Sequence, residues 1–230
     1  MEENLELKVV EFEVTDVPVD GTRSSYDPNT NSTVWESGDK IGCFTELCSN
    51  VIFTNRDDSP SIFSGSLLGD PKILYFYFPH TLGATANGSV VTSTISSAQR
   101  LVVDGYSTNP PMVAQSEDLE SGVRFINTCG LLKFTVKSDV SRKLVKATFS
   151  GNANEASTAP SLKITADQQT SVVMEAGIDM EAEREYSFII VLPPTTFSAG
   201  FTIKLSDEAN NTVTKTFDKS LELKRNAAVN

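Results

Sequence analysis

Histidine and tryptophan are scarce in this 230-residue chain, which contains one of each. The single histidine, His80, directly follows Pro79. One histidine excludes every metal site that needs two, including the HExxH motif. A Ser-His-Asp triad would need His80 as its base, and no GxSxG sequence supplies the serine. We therefore interpret His80 as a structural residue.

Cysteine is also rare, and its spacing excludes two further classes of site. Cys43, Cys48 and Cys129 cannot all pair with one another, and they form no CxxC motif. A zinc site or a thioredoxin-type redox site therefore has no support. Cys43 and Cys129 lie in apolar, strand-like segments, which predicts that both are buried as small hydrophobic residues. A Cys43–Cys48 bridge across a tight turn stays open.

Nucleotide-binding and calcium-binding motifs are missing as well. The glycine-containing segment Gly65–Gly69 lacks the lysine of a P-loop, and no DxDxDG sequence occurs. Asp57 and Asp58, which precede Pro60, are interpreted as a solvated turn. A hydrolase needs only two close carboxylates, and the 30 acidic residues leave that as a weak alternative. We predict that the protein is not an enzyme and needs no cofactor.

Basic residues are outnumbered, since 19 Lys and Arg stand against 30 Asp and Glu, a net charge of -11. This balance argues against nucleic acid and anionic lipid surfaces as partners, because both require basic patches. Residues 1–120 carry 18 acidic and 6 basic residues, whereas residues 121–230 carry 12 and 13. The acidic half is interpreted as a solubilising surface; the alternative is that the two ends are complementary, as head-to-tail assembly would need.

Long apolar runs are missing too. No segment approaches the roughly 20 apolar residues of a transmembrane helix. Met1 is followed by Glu2 and Glu3, without the basic and apolar regions of an export signal. Two interpretations stay open at this point: a cytoplasmic protein, or a sequence that begins after a removed leader.

The chain is rich in short strand-like segments. Leu132, Phe134 and Val136 alternate with polar residues, which is the period of a half-buried strand. The apolar run Ile73–Phe78 is typical of a central strand covered on both faces. Asp207–Asn211 is predicted to form a hairpin turn. The predicted strands are 39–45, 51–55, 73–78, 90–95, 112–115, 123–136, 145–149, 188–192, 201–205 and 212–217.

These strands predict an all-β fold of two antiparallel β-sandwich domains in tandem, residues 1–121 and 122–230. The boundary is placed near Glu120–Gly122, where the net charge also changes. No window has a convincing helical period, although 96–102 and 117–120 could each form a turn or two of helix.

The N-terminal segment Leu5–Val14 alternates in two registers, Leu5/Leu7/Val9 and Val10/Phe12/Val14. A bulged strand, or one that is apolar on both faces, would give this pattern. The polar segment Asp16–Val34 is predicted to be an exposed loop. Its single arginine, Arg23, is either an ordinary surface residue or a target for a trypsin-like protease at the Arg23–Ser24 bond.

Three segments, taken in order, resemble the fimbrillin, or Mfa-like, family of lipoprotein-derived surface pilins and fimbrial components of Gram-negative anaerobes. They are Glu36–Phe44, Pro110–Val136 and Ile189–Phe201, with Gln99 and Met112–Ser116 between the first and the last. The resemblance covers roughly residues 35–226. It implies tandem sandwiches of the transthyretin-like, Greek-key type.

The resemblance also implies a function. We expect an exported, non-enzymatic subunit of a fimbrium at the outer-membrane surface, with a lipid-anchored cysteine upstream of Met1 in the precursor. Family subunits that polymerise are processed after an arginine in the loop that corresponds to Arg23. The N-terminal strand then leaves a groove that a strand of the next subunit fills. The strand that would act as this plug comprises Leu5, Leu7, Val9, Val10, Phe12 and Val14.

A second function stays open, in which the protein does not polymerise and binds carbohydrate or a host protein as an adhesin. Tyr106, in the loop Gly105–Pro111, is the candidate ligand contact, because an exposed aromatic ring there could stack on a sugar. Trp35 matches the family's tryptophan before the first common strand, so it is interpreted as a plug of the domain core instead.

Overall fold

The computed structural model describes residues 6–15, 25–27, 32–92, 99–153, 171–225 and 227–229, which form strands, turns and bends without any helix. The strands in these residues are β1 (Leu7–Glu13), β2 (Ser25–Asp27), β3 (Ser32–Val34), β4 (Lys40–Phe44), β5 (Val51–Arg56), β6 (Ser59–Leu68), β7 (Leu74–Phe78), β8 (Thr85–Asn87), β9 (Val90–Thr92), β10 (Gln99–Arg100), β11 (Met112–Ser116), β12 (Ile126–Asn127), β13 (Gly130–Lys137), β14 (Arg142–Gly151), β15 (Ser171–Met180), β16 (Glu185–Leu192), β17 (Thr195–Phe197), β18 (Phe201–Asp207), β19 (Thr212–Phe217), β20 (Leu221–Leu223) and β21 (Ala227–Val229). The all-β prediction is confirmed.

The largest sheet has seven strands in the order β1-β6-β5-β4-β7-β11-β12, and all its pairings are antiparallel. β7 lies inside it, and four of its five residues are buried, so the prediction of a central covered strand is confirmed. Aromatic rings on the inner face, from Phe12, Phe53, Phe63 and Phe76, form the first core with Trp35. Burying rings of this size is a large part of the free energy that holds such a sheet together.

The second half of the chain forms a five-stranded sheet, β10-β15-β14-β18-β19, and a three-stranded sheet, β16-β13-β21. Side chains from both share one core, including Phe149 and Met174 from the larger sheet and Leu132 and Phe188 from the smaller. Two pairings in these sheets are parallel, β10 with β15 and β13 with β21.

Three two-stranded sheets complete the fold: β2-β3, β8-β9 and β17-β20. The β8-β9 hairpin lies over the outer face of the first sheet. There Ala84 and Val91 pack against Phe44 and Tyr77 in a small separate cluster. No helix able to cross a lipid bilayer occurs among the residues that the structure describes.

Three local predictions are wrong. The segment Asp16–Val34, predicted to be a loop, contains the paired strands β2 and β3. The single strand predicted at 123–136 is divided: Val123 makes an isolated bridge to Val14, and β12 and β13 follow as separate strands in different sheets. No helical turn forms in the described part of the segments 96–102 and 117–120, because Gln99–Arg100 is a strand and residues 117–121 contain bends and turns; residues 96–98 lie outside the described residues. Part of the predicted strand 90–95 is β9, and its remainder lies outside the described residues.

Backbone contacts cross the predicted domain boundary in both directions. Leu101 is buried in the second core, and its amide donates to the carbonyl of Glu175 at 2.8 Å. Val123 and Phe125, beyond the boundary, are buried in the first core. The division at 121/122 stays a prediction, and each core takes residues from both sides of it.

Candidate functional site

The N-terminal strand β1 is the first candidate site, because it forms one end of the seven-stranded sheet. It pairs antiparallel with β6 over its whole length, from Leu7 opposite Leu68 to Glu13 opposite Ile62, without a register shift. The sequence allowed either a bulged strand or a strand that is apolar on both faces. The unbroken register shows that β1 has no bulge and carries apolar residues on both faces. The ladder continues beyond β1, where the Val14 amide donates to the Ser61 carbonyl at 2.8 Å.

One face of this strand enters the first core. Phe12 is 3% exposed and Val14 is 6% exposed, and the half-buried Val10 packs against the same cluster. The ring of Phe12 contacts Phe76 and Phe53, with centroids 4.9 and 5.5 Å apart. Burial of a phenylalanine to this extent stabilises a fold by about 3–5 kcal/mol relative to alanine.

The other face of β1 is uncovered. Leu7 is 71% exposed and Val9 is 80% exposed, so the hypothesis that the apolar side chains of this strand fill a groove as a plug is wrong for these two residues. The physical reason is the period of a strand, which sends alternate side chains to opposite faces, and nothing in the described residues covers the outer face here. Leu5 lies outside the described residues, as do Arg23 and Ser24 of the proposed processing site.

Tyr106 does not occupy an exposed position. It is 7% exposed and packs with Cys129, Leu131 and Val191 in a small cluster. Its backbone forms an isolated parallel bridge with Ile189. The expectation of an exposed aromatic ring at Tyr106 is therefore wrong, because the loop that carries it pairs with Ile189 of β16.

Trp35 has a core position, as its interpretation as a plug requires. It is 3% exposed and lies edge-on to Phe63, Phe78 and Phe125, with ring centroids 4.9, 5.0 and 5.5 Å away. These contacts join β6, β7 and the segment before β12 through one side chain. Such edge-to-face contacts each add about 0.5–1.5 kcal/mol beyond burial.

The remaining candidates for chemistry are placed as structural residues. His80 is half-buried, and its amide donates to the Lys40 carbonyl at 2.9 Å. Burial, together with the nearby charge of Lys40, lowers the pKa of His80. The described residues contain no group of three or more His, Cys, Asp or Glu side chains placed to hold a metal ion.

All three cysteines are free thiols, so the Cys43–Cys48 bridge does not form. Cys43 and Cys129 are both fully buried, which confirms that prediction. Burial raises the pKa of the Cys43 thiol well above its ordinary range, and it raises the pKa of Cys129 to about 12. Neither thiol is ionised at neutral pH, so neither is suited to nucleophilic chemistry.

A cavity of about 980 Å³ is the second candidate site. Its floor is the outer face of β7 and β11, and its walls come from the β8-β9 hairpin and from the β17-β20 pair. Three cationic residues line it: Arg124, Lys224 and Arg225. Lys224 forms an ion pair with Glu222 on the same wall, with N and O 3.4 Å apart.

Sequence reasoning missed this site, because its cations come from places about 100 residues apart in the chain. The one available signal was the adjacent pair Lys224-Arg225 in the half of the chain that lacks acidic excess. The sequence does not show that Arg124 lies near that pair, because only the tertiary fold brings them to one cavity.

No family model matches the chain, and no curated protein matches it in sequence. In structure it is similar to a candidate cell adhesion protein from Bacteroides ovatus ATCC 8483, with 16% identity and a TM-score of 0.61 over 96% of this chain and 89% of that one. It is also similar to the C-terminally truncated tip fimbrial protein Mfa3 from Porphyromonas gingivalis, with 10% identity and a TM-score of 0.44 over 95% and 91% of the two chains. The chain thus shares its fold with the candidate cell adhesion protein from Bacteroides ovatus.

Proposed function

We propose that this protein is a non-enzymatic, cell-surface fimbrial subunit that assembles by exchange of its N-terminal strand. The observation that carries the proposal is the position of β1, which pairs over seven residues at the end of a sheet and inserts Phe12 into the core. On one side β1 pairs with β6, and on its other side the described residues place Val123 against its C-terminal end. With so little on the second side, another strand can replace β1 without disturbing the rest of the sheet.

Loss of β1 would open a site shaped for a strand. The backbone groups of β6 that now pair with β1 would be left unpaired over most of its ten residues. The pocket of Phe12, formed by Phe53, Phe63 and Phe76, would be exposed with it. A free strand edge beside an apolar channel drives association with another chain. The partners are therefore other subunits, whose donated strand would supply an apolar residue at the Phe12 position.

The proposal includes export to the cell surface, a lipid anchor in the precursor and cleavage at the Arg23–Ser24 bond. These parts rest on the resemblance of the three ordered segments to fimbrillins and on the fold shared with a candidate adhesion protein. Arg23 is the only Lys or Arg between Lys8 and Lys40. A single cut after it would leave β1 held by non-covalent contacts alone: its ladder with β6, its hydrogen bonds with Val123 and the packing of Phe12.

The test is a strand-exchange assay on the nicked protein. Limited trypsin treatment of the folded chain should cut after Arg23, and a fluorescent synthetic peptide of residues 1–23 is then added in excess. We expect its anisotropy to rise as it replaces the resident segment. A peptide carrying Phe12→Ala should bind at least ten-fold more weakly, because it lacks the ring that fills the core pocket.

The matched control is the Arg23→Ala variant, which keeps β1 covalently attached. It should resist this cut, take up no peptide and remain monomeric in size-exclusion chromatography. If the nicked protein takes up no peptide while it stays folded, or if the uncut variant takes up as much, strand exchange fails for this protein.

The second candidate function is a surface adhesin that does not polymerise. The observation that favours it is the cationic cavity beside β17-β20, which strand exchange does not use. A failed exchange assay together with ligand binding in the cavity would favour this function over subunit assembly.

A further inference from the structure

The lining of the cavity between the first sheet and the β17-β20 pair is positively charged, whereas the molecule as a whole is negatively charged. The whole chain has a net charge of -11, whereas the described residues that line the cavity include Arg124, Lys224 and Arg225 against one acid, Glu222. Low-dielectric walls strengthen the field of charges gathered in a concave site, so the cavity attracts anions although the protein as a whole repels them.

Two of these cations are available to a ligand. Glu222 is engaged by Lys224, and the ion pairs found among the described residues do not involve Arg124 or Arg225. Both arginine side chains are exposed to solvent. A guanidinium group presents a planar set of donors that matches two oxygens of a carboxylate, as it matches those of a phosphate, so a carboxylate ligand fits these residues.

The backbone holds each arginine in place from both sides. Arg124 follows Val123, whose amide donates to the Glu13 carbonyl at 2.8 Å, and it precedes β12. Arg225 lies between β20 and β21, which pair with β17 and β13. A Cβ added to Gly130 would lie 3.0 Å from the Leu223 Cβ, so β13 packs directly against the strand that leads to Arg225. The backbone that carries each arginine is therefore fixed before a ligand binds.

The neutral part of the lining suits a sugar. Gln115, Ser89 and Thr196 offer amide and hydroxyl groups for hydrogen bonds to sugar hydroxyls. Tyr75 and Ile126 offer apolar surface for the C–H face of a sugar ring, and Ile126 is 49% exposed. A few polar groups among apolar side chains are typical of ligand cavities of several hundred Å³.

An acidic peptide fits the cavity less well. Extended peptides gain much of their affinity from backbone hydrogen bonds to a free strand edge. The floor strands β7 and β11 each have neighbours on both sides, β4 and β11 for the first and β7 and β12 for the second. Backbone groups point within the plane of the sheet toward the neighbouring strands, so a ligand that lies on the face of β7 and β11 is recognised by side chains.

We propose that this cavity binds a short acidic oligosaccharide, whose sugar carboxylates are held by Arg124 and Arg225. The proposal deepens the adhesion part of the proposed function and does not depend on strand exchange. Because the attraction is electrostatic, affinity should fall as the salt concentration rises.

The test measures binding to the full-length protein by titration calorimetry in buffer without divalent cations. The probe is trigalacturonic acid, the neutral control of equal length is maltotriose, and the acidic peptide control is triglutamate. We expect binding of trigalacturonic acid, with maltotriose and triglutamate each at least ten-fold weaker. Arg124→Gln and Arg225→Gln should each weaken binding about ten-fold or more, as expected for loss of a charge-assisted hydrogen bond.

The matched control is Lys215→Gln on β19, which removes an exposed cation outside the cavity and should leave affinity unchanged. Circular dichroism verifies that each variant keeps the fold. Absence of binding, equal binding of maltotriose or of triglutamate, or unchanged affinity in both arginine variants would each overturn the proposal. Repeating the titration with the Arg23→Ala variant distinguishes failure of sugar binding from failure of strand exchange. This variant keeps its N-terminal strand attached and should still bind the acidic sugar.

Discussion

At the scale of single residues, Gly65 on β6 is an inward position whose space in the core is occupied by the ring of Phe53. A Cβ added at Gly65 would lie 2.7 Å from Cγ of Phe53, whose ring is completely buried. Gly65→Ala should therefore destabilise the fold by about 1–3 kcal/mol, because the ring has no space to move in a packed core. Guanidinium unfolding followed by far-UV circular dichroism measures this loss.

The control for this substitution is Gly83→Ala, where an added Cβ meets nothing within 4 Å. It should change the free energy of unfolding by less than about 0.5 kcal/mol. Equal stability of the two variants would mean that Phe53 and Gly65 do not pack as the structure has them.

The burial of individual residues could be predicted where sequence neighbours determine it and not elsewhere. Cys43 and Cys129 were correctly predicted as buried, because each lies in an apolar strand-like segment. Tyr106 was not, because its polar loop resembles an exposed one. The next residue, Ser107, anchors this loop to β16. Its amide donates to the Ile189 carbonyl at 2.9 Å, and its hydroxyl accepts from the Val191 amide at 3.0 Å. Contacts with β16, more than 80 residues away, thus bury the ring of Tyr106.

At the scale of elements, the turn between β18 and β19 is organised by one carboxylate. Asp207 accepts hydrogen bonds from the amides of Asn211 and Ala209 at 2.8 and 3.0 Å, and from the side chain of Asn211 at 2.9 Å. Arg142 lies 3.6 Å from the same carboxylate. The hydrogen bond from the Asn211 side chain, then the two amides and Arg142, lower the pKa of Asp207 below its ordinary value.

This lowered pKa gives the stability of the hairpin a defined pH dependence. The stabilisation by the Asp207 carboxylate is complete above the unfolded-state pKa of about 3.9 and is lost as the pH falls through the lower folded-state value. Asp207→Asn should lower the melting temperature at pH 7, and its difference from the natural protein should shrink below pH 4. Thermal unfolding between pH 2 and pH 7 measures both effects.

The control is Asp218→Asn, which removes an exposed carboxylate just beyond β19. Its melting temperature should follow that of the natural protein at every pH. A difference between Asp207→Asn and the natural protein that stays constant down to pH 2 would contradict the role of the charged carboxylate.

Strands could be predicted where their own side chains set the pattern. β13, β14 and β18 were found from the alternation of apolar and polar residues, and β19 from the hairpin turn predicted at 207–211. β6 and β15 were missed. In β6 the inward positions are Phe63, Gly65 and Leu67, so the glycine interrupts the apolar period, and Pro60 lowers the strand preference further. The ring of Phe53 supplies from the next strand the bulk that β6 lacks.

At the scale of the whole molecule, the fold could be predicted from the sequence. The order of three segments indicated the fold of the fimbrillin family, and the structure shares its fold with a candidate cell adhesion protein. The cavity with Arg124 and Arg225 is invisible in sequence, because the pairing of β17 with β20 and of β13 with β21 creates it.

Each of the two cores contains residues from the other side of the predicted domain boundary, so we expect neither half of the chain to fold alone. The first core contains Val123 and Phe125, whereas the second contains Leu101 and pairs β10 with β15. A cut between residues 121 and 122, at the predicted domain boundary, would therefore remove part of each core. We expect the fragments 1–121 and 122–230, produced separately, to lack a cooperative thermal transition.

Mixing or co-expressing the two fragments should restore that transition, since each then regains the segment it lost. Amide dispersion in proton-nitrogen NMR spectra distinguishes the outcomes, because a folded β protein spreads these signals widely and an unfolded chain does not. Fragment 122–230 lacks Leu101, which is 2% exposed, and also the Ser107 hydroxyl that accepts from the Val191 amide at 3.0 Å. An unpaired buried donor costs about 1–3 kcal/mol, and the loss of Leu101 adds a cavity of comparable cost. These two losses alone approach the total stability of a domain of this size, so a dispersed spectrum from fragment 122–230 by itself would contradict the interdependence of the two cores.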